Sequence, residues 1–372
     1  MSDFIPVNVP VLGEQERENL VECVETGWVS SGGAFVSEFE EEMAARVDRQ
    51  HGIAVANGSA ALDVAVRALD LDPGAEVILP TFTIISCASA VVRAGATPVL
   101  ADCDPETWNM TANQVAEKIT PRTEAIMVVH IYGLPVDMEP IMALADEHDL
   151  HVIEDAAEVH GQTYHDYPCG SFGDLSTFSF YPNKHITTGE GGMVVTDDDD
   201  LAERCRSLRN LCFQSERRFV HEEMGWNYRM SNVQAALGVA QLERLDEVVE
   251  KKRAIGRRYD ELLSDVPGIQ QPLPATDYAE NIYWVYGLVL DDHVPFDAAE
   301  AMDRLDDQRI GTRPFFWPMH EQPVFREQGL FEHDRHPVAE RIARRGFYVP
   351  SGLALTNEQI ETVADAVRSL MT

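Results

Sequence analysis

Hydrophobic and polar positions follow two different spacings along the first two thirds of the chain. Short apolar runs rich in β-branched residues predict buried strands at 53–56, 77–79, 98–101, 125–130, 151–154, 175–181 and 193–196. Longer segments with an apolar residue every three or four positions predict helices at 14–26, 35–50, 83–93, 111–119, 138–148 and 201–210, with another ending near residue 69. Strands that alternate with helices favour an α/β fold, with a mostly parallel sheet covered by helices.

The last third has a different pattern. An irregular loop at 212–228 leads into a long helical stretch at 231–264 that is interrupted near Leu245. Three prolines after it, at 267, 272 and 274, indicate a linker. A strand at 283–290, a helix at 298–308, the loop RPFFWPMH and a last helix from Glu358 then predict a smaller α+β domain. We expect a large domain over residues 1–245 and a small one over 246–372.

The net charge of the chain disfavours some classes of binding partner. Asp and Glu number 63 against 29 Lys and Arg, which gives a net charge of −34. Such a field repels nucleic acids and anionic membranes, so neither is expected as a partner. The acidity is spread along the chain and only four of the basic residues are lysines. This pattern favours a halophilic protein, since the Debye length falls to about 3 Å at molar salt. An ordinary acidic protein is the alternative.

Other sequence features predict a soluble cytoplasmic protein. The start, MSDFIPVNVP, has no basic region followed by an apolar run, and no segment reaches the roughly 18 apolar residues of a membrane span. Six cysteines are scattered without a CxxC spacing, which indicates reduced thiols. Twelve histidines show no HExxH spacing, so no metal is expected.

Lys184 is the strongest candidate for chemistry. It follows the predicted strand 175–181 and precedes a turn containing Gly189, Gly191 and Gly192, where backbone is expected to pack too closely for side chains. The chain has 25 arginines and four lysines. Arginine cannot readily lose its proton, whereas lysine can act as an amine nucleophile in Schiff-base chemistry. A solvated loop lysine is the ordinary alternative.

The residues around Lys184 resemble a known family. Phe-Ser-Phe, three residues, the lysine and then His-Ile-Thr-Thr-Gly-Glu-Gly-Gly are similar to the cofactor-lysine segment of sugar-nucleotide aminotransferases of the DegT/DnrJ/StrS type. The resemblance extends from about Val29 to the C-terminus. It implies a pyridoxal 5′-phosphate (PLP) enzyme of fold type I, in which Lys184 binds the cofactor covalently.

Further cofactor contacts are implied by the same resemblance. Asp155 ends the predicted strand HVIED, and ligands bind beyond the carboxyl ends of strands in such sheets. A carboxylate there can hold the protonated pyridine nitrogen. The family binds the PLP phosphate at the turn that here contains Gly58 and Ser59, where a helix N-terminus forms an anion site, and at Ser179. An ordinary N-cap is the alternative for Ser59.

Three more positions complete the implied cofactor site. Asn227, in GWNYRM, matches an asparagine that the family sends across a dimer interface to the phosphate. Glu158 matches a position that contacts the ring hydroxyl, and glutamate there resembles the GDP-perosamine synthase branch. Ile84 stands where many relatives stack an aromatic ring on the cofactor, and Phe82 is the alternative for that role.

The substrate contacts are implied less directly. Segments around Arg229 and Arg313 resemble the GDP-perosamine synthase branch, and arginine suits the diphosphate of a nucleotide sugar. A packed histidine is the alternative for His160, and an ordinary surface arginine for either arginine. The full set of candidates is Trp28, Ser30, Ser31, His160, His185, Arg229, Arg313, Phe316 and His320.

The resemblance implies transfer of the amino group of L-glutamate to the C4 ketone of a nucleotide-linked 4-keto-6-deoxy sugar, with GDP-4-keto-6-deoxymannose expected. A homodimer or a dimer of dimers with shared active sites is expected. Three alternatives stay open: a UDP- or dTDP-linked substrate, a PLP-dependent sugar 3-dehydratase, and a non-catalytic PLP-binding regulatory protein. The dehydratase branch has histidine in place of the cofactor lysine, so Lys184, with His185 beside it, favours transfer.

Overall fold

The computed structural model describes residues 4–214 and 216–371, so Met1–Asp3, Ser215 and Thr372 lie outside it, as do the parts of the sequence predictions that fall on them. Its strands are β1 His51–Val55, β2 Glu76–Pro80, β3 Thr97–Ala101, β4 Thr123–Val129, β5 His151–Asp155, β6 Thr163–Tyr164, β7 Tyr167–Pro168, β8 Leu175–Ser179, β9 Gly192–Thr196, β10 Ile269–Gln270, β11 Tyr286–Leu290, β12 Arg313–Pro314 and β13 Gly346–Val349. Its helices are α1 Glu14–Thr26, α2 Ala34–Arg46, α3 Gly58–Ala68, α4 Ile85–Ala94, α5 Ala112–Ala116, α6 Met138–His148, α7 Asp199–Arg209, α8 Asn232–Leu242, α9 Leu245–Leu263, α10 Ala298–Asp307, α11 Pro323–Arg326, α12 Pro337–Arg345 and α13 Asn357–Leu370.

The larger sheet has seven strands in the order β1-β9-β8-β5-β4-β2-β3. Strand β9 runs antiparallel to both of its neighbours, and the other four pairings are parallel. Successive strand residues enter different cores: Val77 and Leu79 pack on one face of the sheet, and Ile78 packs on the other. This alternation confirms the predicted mostly parallel sheet with helices on both faces.

A second, antiparallel sheet has the order β10-β11-β13-β12. Its apolar face packs against α9, α10 and α13 through a separate core that includes Tyr259, Leu305 and Val367. Ile5 belongs to the same core and pairs with Ile310, so the segment around Ile5 packs on the smaller unit. The small α+β unit agrees with the sequence pattern, and the boundary between residues 245 and 246 stays a prediction.

Local contacts explain where the element bounds differ from the sequence pattern. The strand predicted at 283–290 begins only at Tyr286, because Tyr283 has a φ of 48° and donates its N–H to Asn281 Oδ1 at 2.7 Å. Helix α2 ends at Arg46, before the predicted residue 50, because Asp48 adopts a φ of 55°. Helix α12 and strand β13 were not predicted. The predicted interruption near Leu245 is confirmed between α8 and α9.

Several elements meet at the carboxyl edge of the large sheet. Strand β5 ends there at Asp155, and β1 leads there into the N-terminus of α3. Behind Asp155, the buried Glu154 accepts hydrogen bonds from the N–H groups of Gly170 and Phe172 and from Ser176 Oγ. The end of β5 is thereby held in place. In the described part of the chain, no helix is both long and apolar enough to cross a membrane.

Candidate active site

A cleft of about 610 Å³ lies where the carboxyl edge of the large sheet faces the small sheet. The large sheet supplies the floor and the lysine loop, while Trp284, Phe316 and Tyr348 come from the C-terminal part of the chain. Eight of the predicted site residues line this cleft: Gly58, Ser59, Ile84, Asp155, Glu158, Ser179, Lys184 and Phe316.

Lys184 is nearly buried and contacts two groups. Its Nζ lies 3.7 Å from Glu158 Oε1 and 3.6 Å from the centroid of the Trp284 ring. Burial lowers the pKa of Lys184, and the carboxylates of Glu158 and Asp155 oppose that shift. An amine with a lowered pKa, held in a cleft, can serve both as a nucleophile and as a base.

Glu158 is the closest carboxylate to the lysine amine. Its other oxygen accepts the backbone N–H of Tyr132 at 2.8 Å, and Tyr132 holds a φ of 59° to present that group. Burial raises the pKa of Glu158 to about 7, against the opposing effects of Lys184 and the Tyr132 N–H. Glu158 can therefore hold or release a proton near neutral pH.

Asp155 lies at the base of the cleft. Its Oδ1 accepts the N–H of Ala157 at 3.1 Å, and its Oδ2 lies 3.4 Å from the thiol of Cys87, which donates to it. Burial raises the pKa of Asp155, while the Ala157 N–H and the charge of Lys184 lower it. A buried carboxylate with one weak and one ordinary donor retains the capacity to accept a further, charged donor.

The N-terminus of α3 forms the other end of the cleft. Asn57 caps the helix by accepting the N–H of Ala60 at 2.9 Å, and the first-turn N–H groups have no partners within the helix. A Cβ at Gly58 would lie 2.6 Å from Ser179 Cβ, and one at Gly192 would lie 2.4 Å from the Asn57 carbonyl oxygen. Glycine at both positions lets the two segments approach closely enough to form one anion site.

The structure locates Ile84 and Phe82, the two candidates for covering the cofactor ring. Ile84 lines the cleft and is 43% exposed. Phe82 is fully buried instead, and it packs against Tyr132, Phe315 and Phe316. Of these two residues, Ile84 is therefore the one placed to cover a ligand in the cleft.

Three histidines that were predicted to contact the substrate do not line the cleft. His160 and His185 are buried with their ring centroids 5.9 Å apart, and burial lowers the pKa of His160 to about 3. His320 is buried between Thr81 Oγ1, 2.9 Å from its Nδ1, and Glu340 Oε1, 3.1 Å from its Nε2. His320 thus joins the RPFFWPMH segment to the end of β2. Their predicted substrate contacts stay predictions.

The remaining predicted residues are exposed or lie in adjoining clefts. Arg313 lines two further clefts, and both share Tyr348 with the main one. Asn227 is exposed and accepts two hydrogen bonds from Arg229. Trp28 is 59% exposed in a separate cleft, and Ser30 and Ser31 follow it.

Sequence reasoning missed several residues of the cleft. Thr177 lies two positions before Ser179 on β8, so the strand period already placed both on one face. Its buried Oγ1 has no hydrogen-bond partner among the described residues, which marks a place for a polar ligand atom. Trp284 and Tyr348 reach the cleft from the C-terminal part of the chain, and no spacing in the sequence indicates this.

The donor set of the cleft fits PLP. The buried amine of Lys184 suits a carbonyl carbon, Asp155 suits a protonated pyridine nitrogen, and the α3 terminus with Ser179 suits a phosphate. The unpartnered Thr177 hydroxyl adds a further polar contact. On a mostly parallel, helix-covered sheet with a small C-terminal unit, these groups define a PLP-dependent enzyme of fold type I.

Comparisons with known proteins give the family. The family model "DegT/DnrJ/EryC1/StrS aminotransferase family" matches residues 10–368. GDP-perosamine synthase of Escherichia coli O157:H7 is 40% identical over 364 residues, covering 98% of each chain. GDP-perosamine synthase of Caulobacter vibrioides is 41% identical over 374 residues, covering 100% of each. The aminotransferase TlmJ from Streptoalloteichus hindustanus superposes with a TM-score of 0.91 at 33% identity, covering 98% of each chain.

The chain belongs to the DegT/DnrJ/EryC1/StrS aminotransferase family. It is a PLP-dependent sugar aminotransferase, and PLP is its cofactor. The expected family, fold and cofactor are thereby confirmed.

Proposed function

We propose that this enzyme transfers the amino group of L-glutamate to C4 of GDP-4-keto-6-deoxymannose and so forms GDP-perosamine. The observation that carries the proposal is a buried lysine, Lys184, in contact with Glu158 in a cleft whose residues fit PLP. Two full-length relatives that are 40% and 41% identical are GDP-perosamine synthases, which supports the choice of the guanosine nucleotide.

The residues divide the work between binding and proton transfer. PLP, when bound, supplies an electron sink for the carbon that loses a proton. Lys184 takes the α-proton of glutamate and later delivers a proton to C4 of the sugar. With PLP bound, Asp155 would hold the proton of the pyridine nitrogen, and Glu158 would face the ring hydroxyl. Gly58, Ser59 and Ser179 hold the phosphate.

A lysine at position 184 favours amino transfer over dehydration. Both reactions need a base at this position, and histidine could serve as that base. Only lysine also has an amine that can bond covalently to the cofactor again and complete the cycle. His185 does not line the cleft, so it is not placed to replace Lys184 as the base.

We also propose that the active site is shared between two subunits. Asn227 is exposed; its backbone forms a bridge with Asn210 and its side chain accepts hydrogen bonds from Arg229, so the side chain is accessible to the phosphate site of a second copy. Lys184→Ala and Asn227→Ala proteins should each be poorly active. If the site is shared, mixing them restores activity through hybrid dimers that carry one unaltered site. No recovery, with subunit exchange demonstrated independently, contradicts sharing.

The function is tested by turnover on a panel of keto-sugar nucleotides. With L-glutamate and GDP-4-keto-6-deoxymannose, the expected products are a 4-amino sugar nucleotide and 2-oxoglutarate, identified by mass spectrometry and NMR. A 3-deoxy product contradicts amino transfer. An amino product only from UDP- or dTDP-linked sugars contradicts the nucleotide. The control is Lys184→His, which should lose amino transfer and lean toward 3-deoxygenation.

A further inference from the structure

Trp284 contacts the amine of Lys184 through the face of its ring. The distance from Nζ to the ring centroid is 3.6 Å, and Trp284 is 5% exposed. The same amine lies 3.7 Å from Glu158 Oε1. Lys184 therefore has two partners that both favour its charged form, and Trp284 is one of them.

Trp284 is held both at its indole ring and at its backbone. Its Nε1 donates to the carbonyl of Asn183, the residue before Lys184, at 2.7 Å. Its backbone carbonyl accepts from the buried Nζ of Lys252 at 2.8 Å, and that Nζ also donates to the carbonyl of Ser351 at 2.6 Å. The backbone of Trp284 is packed against Gly133, where a Cβ would lie 2.6 Å from its nitrogen. The ring is thus tied directly to the lysine loop.

The contact has a consequence for protonation. The negative face of an aromatic ring attracts an ammonium group and not a neutral amine. Burial acts in the opposite direction and lowers the pKa of Lys184. Amino transfer includes a stage in which the amine of Lys184 is released from the cofactor and must hold a proton in a place from which it can return.

We propose that Trp284 is a positioning residue that holds the free, protonated amine of Lys184 against its ring face during this stage. The inference rests on the proposed role of Lys184 as the proton carrier. It assigns to Trp284 a role beyond packing, since the ring face lies against the Lys184 amine while the bond to Asn183 ties the ring to the lysine loop.

The test replaces all five tryptophans with fluorinated tryptophans. Successive fluorines weaken the ring's attraction for a cation and preserve its shape and its N–H group. In PLP-free protein, the reactivity of Lys184 toward acetic anhydride is followed across pH by peptide mass spectrometry, with the exposed Lys251 as the internal reference. The pH midpoint of Lys184 acetylation should fall in steps with each added fluorine, by about one pH unit in all.

Two variants separate this role from ordinary packing. In a Trp284→Phe background, fluorination of the other tryptophans should leave the Lys184 midpoint unchanged. In Trp108→Phe, which removes a buried indole outside the cleft, the stepwise fall should persist. If the most heavily fluorinated protein does not fold, Trp284→Phe with natural tryptophan is used in its place. Phenylalanine has a weaker ring face, so the Lys184 midpoint should fall below that of the wild type, but by less than the full fall expected from fluorination.

A midpoint that fluorination does not move, or moves equally in Trp284→Phe, overturns the proposal. Since the assay uses PLP-free protein and no sugar, its failure does not depend on the substrate. The proposed function fails separately, if the wild-type enzyme forms no amino sugar or if its cofactor is bound by another lysine.

Discussion

At the scale of residues, the cleft places ionisable groups where burial works against their charged forms. Burial lowers the pKa of Lys184 and raises those of Asp155 and Glu158. Lys184 favours the charged forms of the two carboxylates and they favour its own, since opposite charges lie close together in a region of low dielectric, whereas Asp155 raises the pKa of Glu158 further. The cleft therefore brings together an amine and two carboxyl groups whose pKa values are shifted, and such groups cluster at functional sites.

Asp155 should be more important for the reaction than for binding the cofactor. In Asp155→Asn, the neutral amide cannot hold a proton on the pyridine nitrogen, although the phosphate contacts remain. We expect PLP to stay bound and turnover to fall by about a hundredfold or more. The fall should exceed that of Ser59→Ala or Ser179→Ala, measured by steady-state kinetics beside a PLP titration. Turnover near that of the wild type contradicts this role.

Lys252 should make stability depend on pH. Burial lowers its pKa to about 7, whereas the unfolded lysine titrates near about 10.4. Between these values the unfolded chain binds more protons than the folded one, so the stability contribution of Lys252 rises with pH. Relative to Lys252→Met, the wild type should gain up to about 1.4 kcal/mol per pH unit from pH 7 to about 10.

The measurement is urea unfolding of PLP-free protein at a series of pH values. Lys251→Met is the matched control, because Lys251 lies next to Lys252 in α9 and is exposed. A flat difference between wild type and Lys252→Met would show that Lys252 titrates normally.

At the scale of elements, the site depends on how closely α3 approaches β8. Gly58→Ala places a Cβ 2.6 Å from Ser179 Cβ, so the helix terminus or the strand must shift. We expect the dissociation constant for PLP to rise by about tenfold or more, because charge-assisted contacts to the phosphate depend on their geometry. Ser59→Ala keeps the backbone N–H groups in place and should cost less. Equal, small effects in a fluorescence titration of PLP contradict this account.

The elements that the sequence predicted are those with strong local patterns. Helices α1 and α6 occupy the predicted ranges, and Asp155 could be predicted to end its strand because a buried apolar run stops there. Helix α12 carries an amphipathic pattern, with Ala339, Ile342 and Ala343 on its buried face, that the sequence reading overlooked, whereas β13 has only four residues before Pro350 and gave no long periodic signal. Short elements of this kind are specified mainly by what they pack against.

The parts of the site that were not predicted come from long-range contacts. Trp284 bonds to Asn183 across 101 positions, and His320 bonds to Thr81 across 239. Nothing in the local pattern around either residue distinguishes a buried contact from a substrate contact. The placement of His320 between β2 and α12 follows only from the packing of the small unit on the large one.

At the scale of the whole molecule, a charge of −34 should make stability depend on salt. Self-repulsion of the folded chain is screened when the Debye length falls to about 3 Å near 1 M salt. We expect the melting temperature to rise by about 5 °C or more from 0.05 M to 2 M KCl. Sucrose at matched osmolality is the control. A melting temperature that is unchanged across the KCl series contradicts the halophilic interpretation.

The central claim is that Lys184, in this cleft, is the residue that binds PLP covalently. The most direct measurement is reduction of the PLP-loaded enzyme with borohydride, followed by peptide mapping. The mass of the reduced cofactor should appear on the peptide containing Lys184, and the label should vanish in Lys184→Ala. Label on Lys118, Lys251 or Lys252 in place of Lys184 would contradict the account.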